Sequence, residues 1–151
     1  MPFFPCNKPV FGNLEMPHVG RRGRVPTPAE TEAILAQASP AFRLIYSALR
    51  QCGARPGEFC RATIADVDRA NGVITLKEHK TARKTGQVRR IPLGRKLGEL
   101  LDRAIGTRTE GAVFLCPSGR GWRVENLSRT YSRPRDQAGL PKVLVLYLAD
   151  A

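Results

Sequence analysis

The chain has 151 residues, about the length of one ordinary domain, and a hydrophobic share of 42% that is sufficient for a core. Its 25 basic and 13 acidic side chains give a formal net charge of +12, which favours a polyanionic partner such as nucleic acid. No long apolar segment and no basic amphipathic helix with an aromatic face is present, so the sequence argues against a membrane partner.

The cysteines and histidines do not have the spacing of metal ligands. No Cys-x-x-Cys pair occurs, and His18 and His79 are far from the positions a zinc site would need. We therefore expect no metal site. Nothing at the N-terminus resembles a secretory signal, so we expect reduced thiols and a cytoplasmic location. The cysteines are Cys6, Cys52, Cys60 and Cys116.

The first 25 residues are rich in proline and glycine and are predicted to form a linker or extended arm. Residues 26–151 are predicted to form the folded part. Thr27 begins a helix, with Pro28 in its first position and Glu30 completing a capping box, and the helix is expected to reach Ala38. A second helix, with a strongly apolar face, opens at Pro40.

The segment Gly53-Ala54-Arg55-Pro56-Gly57-Glu58 is predicted to be a sharp joint between two helices. Gly53 favours the end of the second helix, and Pro56 suits the first turn of a third that continues to Ala62. The proline also favours an extended backbone at Arg55. A guanidinium on such a rigid corner is well suited to binding phosphate. The alternative is a local ion pair between Arg55 and Glu58.

After this joint the hydrophobic pattern changes to that of short strands. Residues 64–68 are predicted to be a short strand or strand entry, followed by a turn at Asn71-Gly72. Residues 73–76 and 88–93 read as antiparallel partners, joined by the polar and basic hairpin tip Lys77 to Gln87. The expected fold class is therefore α+β, mostly helical with a small antiparallel β-hairpin sheet.

The remaining sequence predicts two more helices. Residues 96–105 have the spacing of an amphipathic helix, and residues 124–138 read as a helix in which Pro134 is a possible interruption. A short apolar run and a Ser-Gly-Arg-Gly loop separate them. The chain ends on the apolar segment 143–148.

Basic side chains concentrate in two places, either of which could contact a nucleic-acid backbone or could be a solvated surface. The first group lies in and around the hairpin and consists of Lys77, Lys80, Arg83, Lys84, Arg89, Arg90 and Arg95. The second group lies near the last helix and consists of Arg120, Arg123, Arg129, Arg133 and Arg135. We predict DNA or RNA contact for both groups.

The motif order resembles that of the tyrosine recombinases, also called phage-type integrases. The resemblance rests on the Gly53–Glu58 joint and on the hairpin motifs His79-Lys80-Thr81, Lys84-Thr85-Gly86 and Arg89-Arg90-Ile91-Pro92-Leu93. The earlier Thr27 helix start and the later Gly139-Leu140-Pro141 agree with it. It covers roughly residues 25–147 and implies the N-terminal part of an integrase-type catalytic domain.

The resemblance implies DNA breaking and rejoining without metal or high-energy cofactor, so we expect no cofactor and no small-molecule substrate. In this family a tyrosine attacks the scissile phosphate, two arginines and a histidine or similar donor stabilise the transition state, and a hairpin lysine protonates the leaving oxygen. Arg55 matches the first arginine and Glu58 the acidic residue that steadies the site. Lys84 matches the lysine, with Lys80 as the alternative. A fixed arginine suits charge that builds on phosphate oxygens.

Two family elements have no counterpart at their expected places. No His-x-x-Arg motif follows the segment that ends at Tyr147, and Tyr46, Tyr131 and Tyr147 do not occupy the nucleophile's position. Most of the family's N-terminal DNA-clamping domain is also missing. We therefore expect a truncated catalytic domain that binds double-stranded DNA, with other recombinase protomers as possible partners, but does not cleave DNA alone.

The function predicted so far is that of a DNA-binding recombinase fragment, acting in DNA recombination and integration. There are two alternatives to it. One is a basic nucleic-acid-binding module without recombinase history. The other is a regulatory partner that docks on a full-length recombinase. The residues predicted to bind DNA are Lys80, Arg83, Arg89, Arg90, Arg120, Arg123, Arg129 and Arg133.

Overall fold

A computed structural model describes residues 25–76 and 88–141. The predicted arm before residue 25, the hairpin tip at 77–87 and the apolar tail after residue 141 lie outside the described residues. The helices are α1 (Pro28–Gln37), α2 (Pro40–Cys52), α3 (Pro56–Arg61), α4 (Arg95–Ile105) and α5 (Val124–Gln137). The strands are β1 (Val67–Asp68), β2 (Val73–Leu76) and β3 (Arg89–Pro92). This arrangement confirms the predicted α+β class.

Local capping interactions set the bounds of the first two helices. The Thr27 hydroxyl accepts from the Glu30 amide at 3.3 Å, and the Glu30 carboxylate accepts from the Thr27 amide at 2.8 Å, which confirms the predicted capping box. At the start of α2 the Ser39 hydroxyl accepts from the Phe42 amide at 3.3 Å. Gly53 ends α2 with a left-handed φ of 59°, a conformation that glycine adopts without steric cost.

The small sheet has the order β1-β2-β3, and both pairings are antiparallel. The predicted partners are confirmed: Ile74 lies opposite Ile91, and Leu76 lies opposite Arg89. The expected strand over 64–68 is correct only for its last two residues, because Ile64–Asp66 form a 3-10 turn. The Asp66 carboxylate accepts from the Thr63 amide and hydroxyl at 2.9 and 2.8 Å and closes that turn locally.

Helix α2 lies at the centre of the core. Its Phe42 and Tyr46 rings stack with centroids 5.5 Å apart, Tyr46 stacks on Tyr131 of α5 at 6.0 Å, and Trp122 meets Phe42 edge-on at 6.2 Å. All four rings are buried, with Phe42 fully so. Aromatic pairs of this kind add about 0.5–1.5 kcal/mol each beyond their burial. Helix α2 is therefore a rigid support for whatever lies at its two ends.

Helix α5 continues through Pro134, so the interruption considered from the sequence does not occur. The missing amide costs the helix one hydrogen bond near its end, while the Pro134 carbonyl still accepts from the Ala138 amide at 2.9 Å. Pro134 is itself buried. The helix remains regular up to Gln137.

Candidate functional site

Arg55 occupies the corner between α2 and α3. It is the residue immediately before α3, with an extended backbone at φ −71° and ψ 139°, as its following proline predicts. Its neighbours Ala54 and Pro56 are buried, whereas Arg55 itself is exposed. No described carboxylate or carbonyl accepts a hydrogen bond from its guanidinium. The corner therefore fixes the backbone of Arg55, and the positively charged guanidinium has no acceptor among the described residues.

Glu58 is the buried carboxylate behind this corner, and it is only 4% exposed. Its Oε2 accepts from the Arg55 amide at 2.9 Å and thereby caps the start of α3. Nη1 of Arg89 donates to both carboxylate oxygens, at 3.0 and 2.9 Å. The alternative of a local side-chain pair between Arg55 and Glu58 is not formed, because the cation on Glu58 comes from β3.

Strand alternation explains why Arg89 reaches Glu58. Arg89 lies two residues before buried Ile91, and side chains two apart share one face of a strand. Arg90 is exposed on the opposite face. The same alternation is visible in the sequence Arg89-Arg90-Ile91, and it separates two arginines that the sequence analysis assigned to a single DNA-binding group. Arg89 is half-buried and contacts Glu58, whereas Arg90 is exposed.

The start of α5 lies beside the start of α3. A side chain at Gly57 would come within 3.5 Å of Val124, the first residue of α5. Because Arg123 immediately precedes Val124, its backbone lies near the Arg55 corner. Arg123 is exposed. Arg120 is exposed in the preceding loop, which the Arg120 carbonyl closes by accepting from the Cys116 amide at 2.7 Å.

Arg129 and Arg133 lie elsewhere. They line an open cleft of about 530 Å³ with residues of the α1–α2 joint, including Ser39, and no acidic side chain lines it. Ser39 and Gly53 flank opposite ends of α2, roughly 20 Å apart at 1.5 Å per residue. Arg123, at the start of α5, and the pair Arg129 and Arg133, within it, thus lie at two separate places.

The three described cysteines are free thiols in different surroundings. Burial raises the pKa of Cys60 to about 11, with a further contribution from the nearby Glu125 carboxylate. Burial also raises the pKa of Cys52, while Arg89 lowers it and Glu58 raises it. A hydrogen bond with the Ser118 hydroxyl, at 3.1 Å, lowers the pKa of Cys116. Within residues 25–76 and 88–141, no group of ligating side chains could hold a metal ion.

The structure therefore brings together only part of the predicted site. Arg55, Glu58, Arg89 and Arg123 lie around one corner, and Arg90 and Arg120 are exposed on neighbouring elements. The remaining predicted residues of the hairpin lie outside the described residues. They are Lys80, Arg83 and Lys84.

Residues 25–144 match the model of the phage integrase family. The chain belongs to this family. No protein of curated function matches it. Within the part of this integrase-family chain that the structure describes, no helix is long and apolar enough to span a membrane.

Solved structures with the same fold include phage and transposon integrases. Lambda integrase (residues 75–356), as a dimer bound to a COC′ core site, is 22% identical with a TM-score of 0.65, covering 80% of this chain and 45% of that one. The lambda integrase catalytic core is 24% identical with a TM-score of 0.64, covering 80% and 75%. The Tn1549 transposon integrase bound to circular intermediate DNA is 23% identical with a TM-score of 0.64, covering 82% and 48%.

The integrase-family chain thus has part of the tyrosine recombinase catalytic-domain fold. It spans less than half of the 75–356 segment of lambda integrase.

Proposed function

We propose that this chain is the DNA-binding part of a site-specific tyrosine recombinase and that its 151 residues do not cleave DNA by themselves. The observation that carries the proposal is the exposed Arg55 guanidinium on a rigid corner with a buried carboxylate behind it. A phosphate oxygen is the acceptor that such a planar, permanently charged donor fits.

The partner in this proposal is duplex DNA, together with other recombinase protomers. Lambda integrase has been solved as a dimer on a core site and as a tetramer on a Holliday junction, and the Tn1549 integrase has been solved on DNA. The net charge of +12 and the exposed Arg123 beside the corner support the same partner. Three free thiols support a reducing, cytoplasmic location.

The chemistry assigned to the corner is phosphate binding. Arg55 would neutralise charge on non-bridging oxygens, and Glu58 would fix the Arg55 backbone. If a nucleophile were supplied in a complete recombinase site, Lys84, or Lys80 in its place, would donate a proton to the leaving oxygen. No step in this scheme requires a metal or a small-molecule substrate.

The positions of the described tyrosines support the proposed lack of cleavage. Tyr46 is 1% exposed and Tyr131 is 3% exposed, and both rings belong to the stacked core. Neither hydroxyl can meet a DNA phosphate without unfolding that core. Tyr147 lies outside the described residues, and the sequence places it before the family's nucleophile position.

A salt titration of duplex binding tests the binding part. We expect wild-type affinity to fall steeply with salt, and Arg55→Ala to weaken binding about tenfold and to reduce the salt slope by about one. Arg103→Ala is the matched control, because Arg103 is an exposed arginine of α4 outside the predicted site. Equal effects of the two variants would favour a basic module without a defined phosphate site. Salt-independent binding would contradict the proposal.

A nicked suicide substrate tests the cleavage part. Such a substrate traps covalent protein–DNA adducts, and we expect none from this chain alone. The full-length lambda integrase is the positive control for the substrate design. An adduct formed by the chain alone would show that it carries a working nucleophile and would refute this part of the proposal.

A further inference from the structure

The Glu58–Arg89 contact joins two elements that are far apart in sequence. Glu58 lies in the first turn of α3, and Arg89 begins β3, 31 residues later. Both carboxylate oxygens face Arg89 Nη1, and one of them also holds the Arg55 amide at 2.9 Å. A single carboxylate thus ties the Arg55 corner to the sheet.

The position of Arg89 in the sheet directs its side chain toward Glu58. Its Cα lies opposite Leu76, which is buried, and its side chain is 37% exposed, whereas Glu58 is 4% exposed. Among the described residues, only Glu58 accepts a side-chain hydrogen bond from the Arg89 guanidinium. The Glu58 carboxylate is on the buried side of the α2–α3 corner, whereas Arg55 is exposed.

We infer that Arg89 is a positioning residue for DNA-phosphate binding: acting through Glu58, it fixes the Arg55 backbone so that the Arg55 guanidinium is held where a phosphate binds. The inference rests on the proposed function, since it needs Arg55 to bind phosphate.

A double-mutant cycle separates this role from a direct Arg89–phosphate contact. A positioning residue acts only through the residue it positions, so its effect disappears when that residue is absent. We expect Arg89→Ala to weaken duplex binding about five- to tenfold in the wild-type background and less than about twofold in an Arg55→Ala background. Additive losses would mean that Arg89 contacts phosphate itself and would overturn the inference.

Two controls separate the effect of losing the Glu58–Arg89 contact from the effects of unfolding and of losing one positive charge. Tryptophan fluorescence reports folding, because Trp122 is the single tryptophan and is buried. Arg103→Ala removes the same charge from a different surface and is expected to behave additively with Arg55→Ala. If Arg89→Ala does not fold, Arg89→Lys repeats the cycle with the charge retained and the reach of the guanidinium lost.

Different results would overturn the proposed function and the inference about Arg89. A folded wild-type chain that does not bind duplex DNA, or an Arg55→Ala variant that binds as tightly as wild type, would overturn the proposed function and the inference with it. A chain that binds through Arg55 but gives an additive cycle with Arg89 would overturn the inference alone.

Discussion

Removing Arg89 should destabilise the fold far more than removing its neighbour Arg90. Arg89→Ala leaves the Glu58 carboxylate buried with one hydrogen bond, from the Arg55 amide, where the intact structure supplies three. Arg90 is exposed on the other face of the same strand. The two substitutions remove the same side chain from adjacent positions, so their difference isolates the contact.

The magnitude follows from the exposure of the two partners. Breaking a fully buried ion pair costs about 3–5 kcal/mol, and an exposed pair contributes about 0–1 kcal/mol. Glu58 is 4% exposed and Arg89 is 37% exposed, which places this pair between the limits, at about 2–3 kcal/mol for Arg89→Ala. Glu58→Gln keeps an acceptor for the Arg55 amide and should cost about 1 kcal/mol.

Urea unfolding followed by Trp122 fluorescence measures both values. Arg90→Ala, as an exposed substitution, should lie within about 0.5 kcal/mol of wild type. If Arg89→Ala and Arg90→Ala have the same free energy of unfolding, the Glu58–Arg89 contact does not stabilise the chain and the reasoning is refuted. A larger loss for Glu58→Gln than for Arg89→Ala would also contradict it.

Three further predictions concern other parts of the chain. Gly53→Ala should lower the free energy of unfolding by about 1 kcal/mol, because φ is 59° there; a neutral result in urea unfolding would contradict this. Arg108→Ala should cost about 2 kcal/mol in the same assay, since Arg108 donates to three backbone carbonyls at 2.6–2.8 Å. Cys116 should be alkylated faster than Cys60 near pH 8, and Ser118→Ala should slow Cys116 by raising its pKa; the reverse order would refute the assignment.

Features that depend on neighbouring residues were predictable from the sequence. The Thr27–Glu30 cap and the Gly53 helix end follow from local backbone chemistry, and both are confirmed. The extended conformation of Arg55 follows from Pro56 in the same way.

Features that depend on long-range packing were missed. The partner of Glu58 lies 31 residues away, so the sequence did not reveal this contact of Arg89, which was predicted only to bind DNA. Arg108 was not singled out, because its acceptors are carbonyls that only the folded chain assembles. Basic residues in the described part of the chain therefore divide into those with intramolecular partners and those that are exposed, and charge alone cannot separate the two kinds.

The placement of Glu58 also has a consequence for sequence divergence. A carboxylate that is 4% exposed and contacts a cation from another element cannot be replaced alone without leaving a buried charge or an unmatched arginine. Positions 58 and 89 should therefore change together among related integrases, with a neutral residue at one accompanied by loss of the charge at the other. Arg90, which makes no such contact, should vary independently of both.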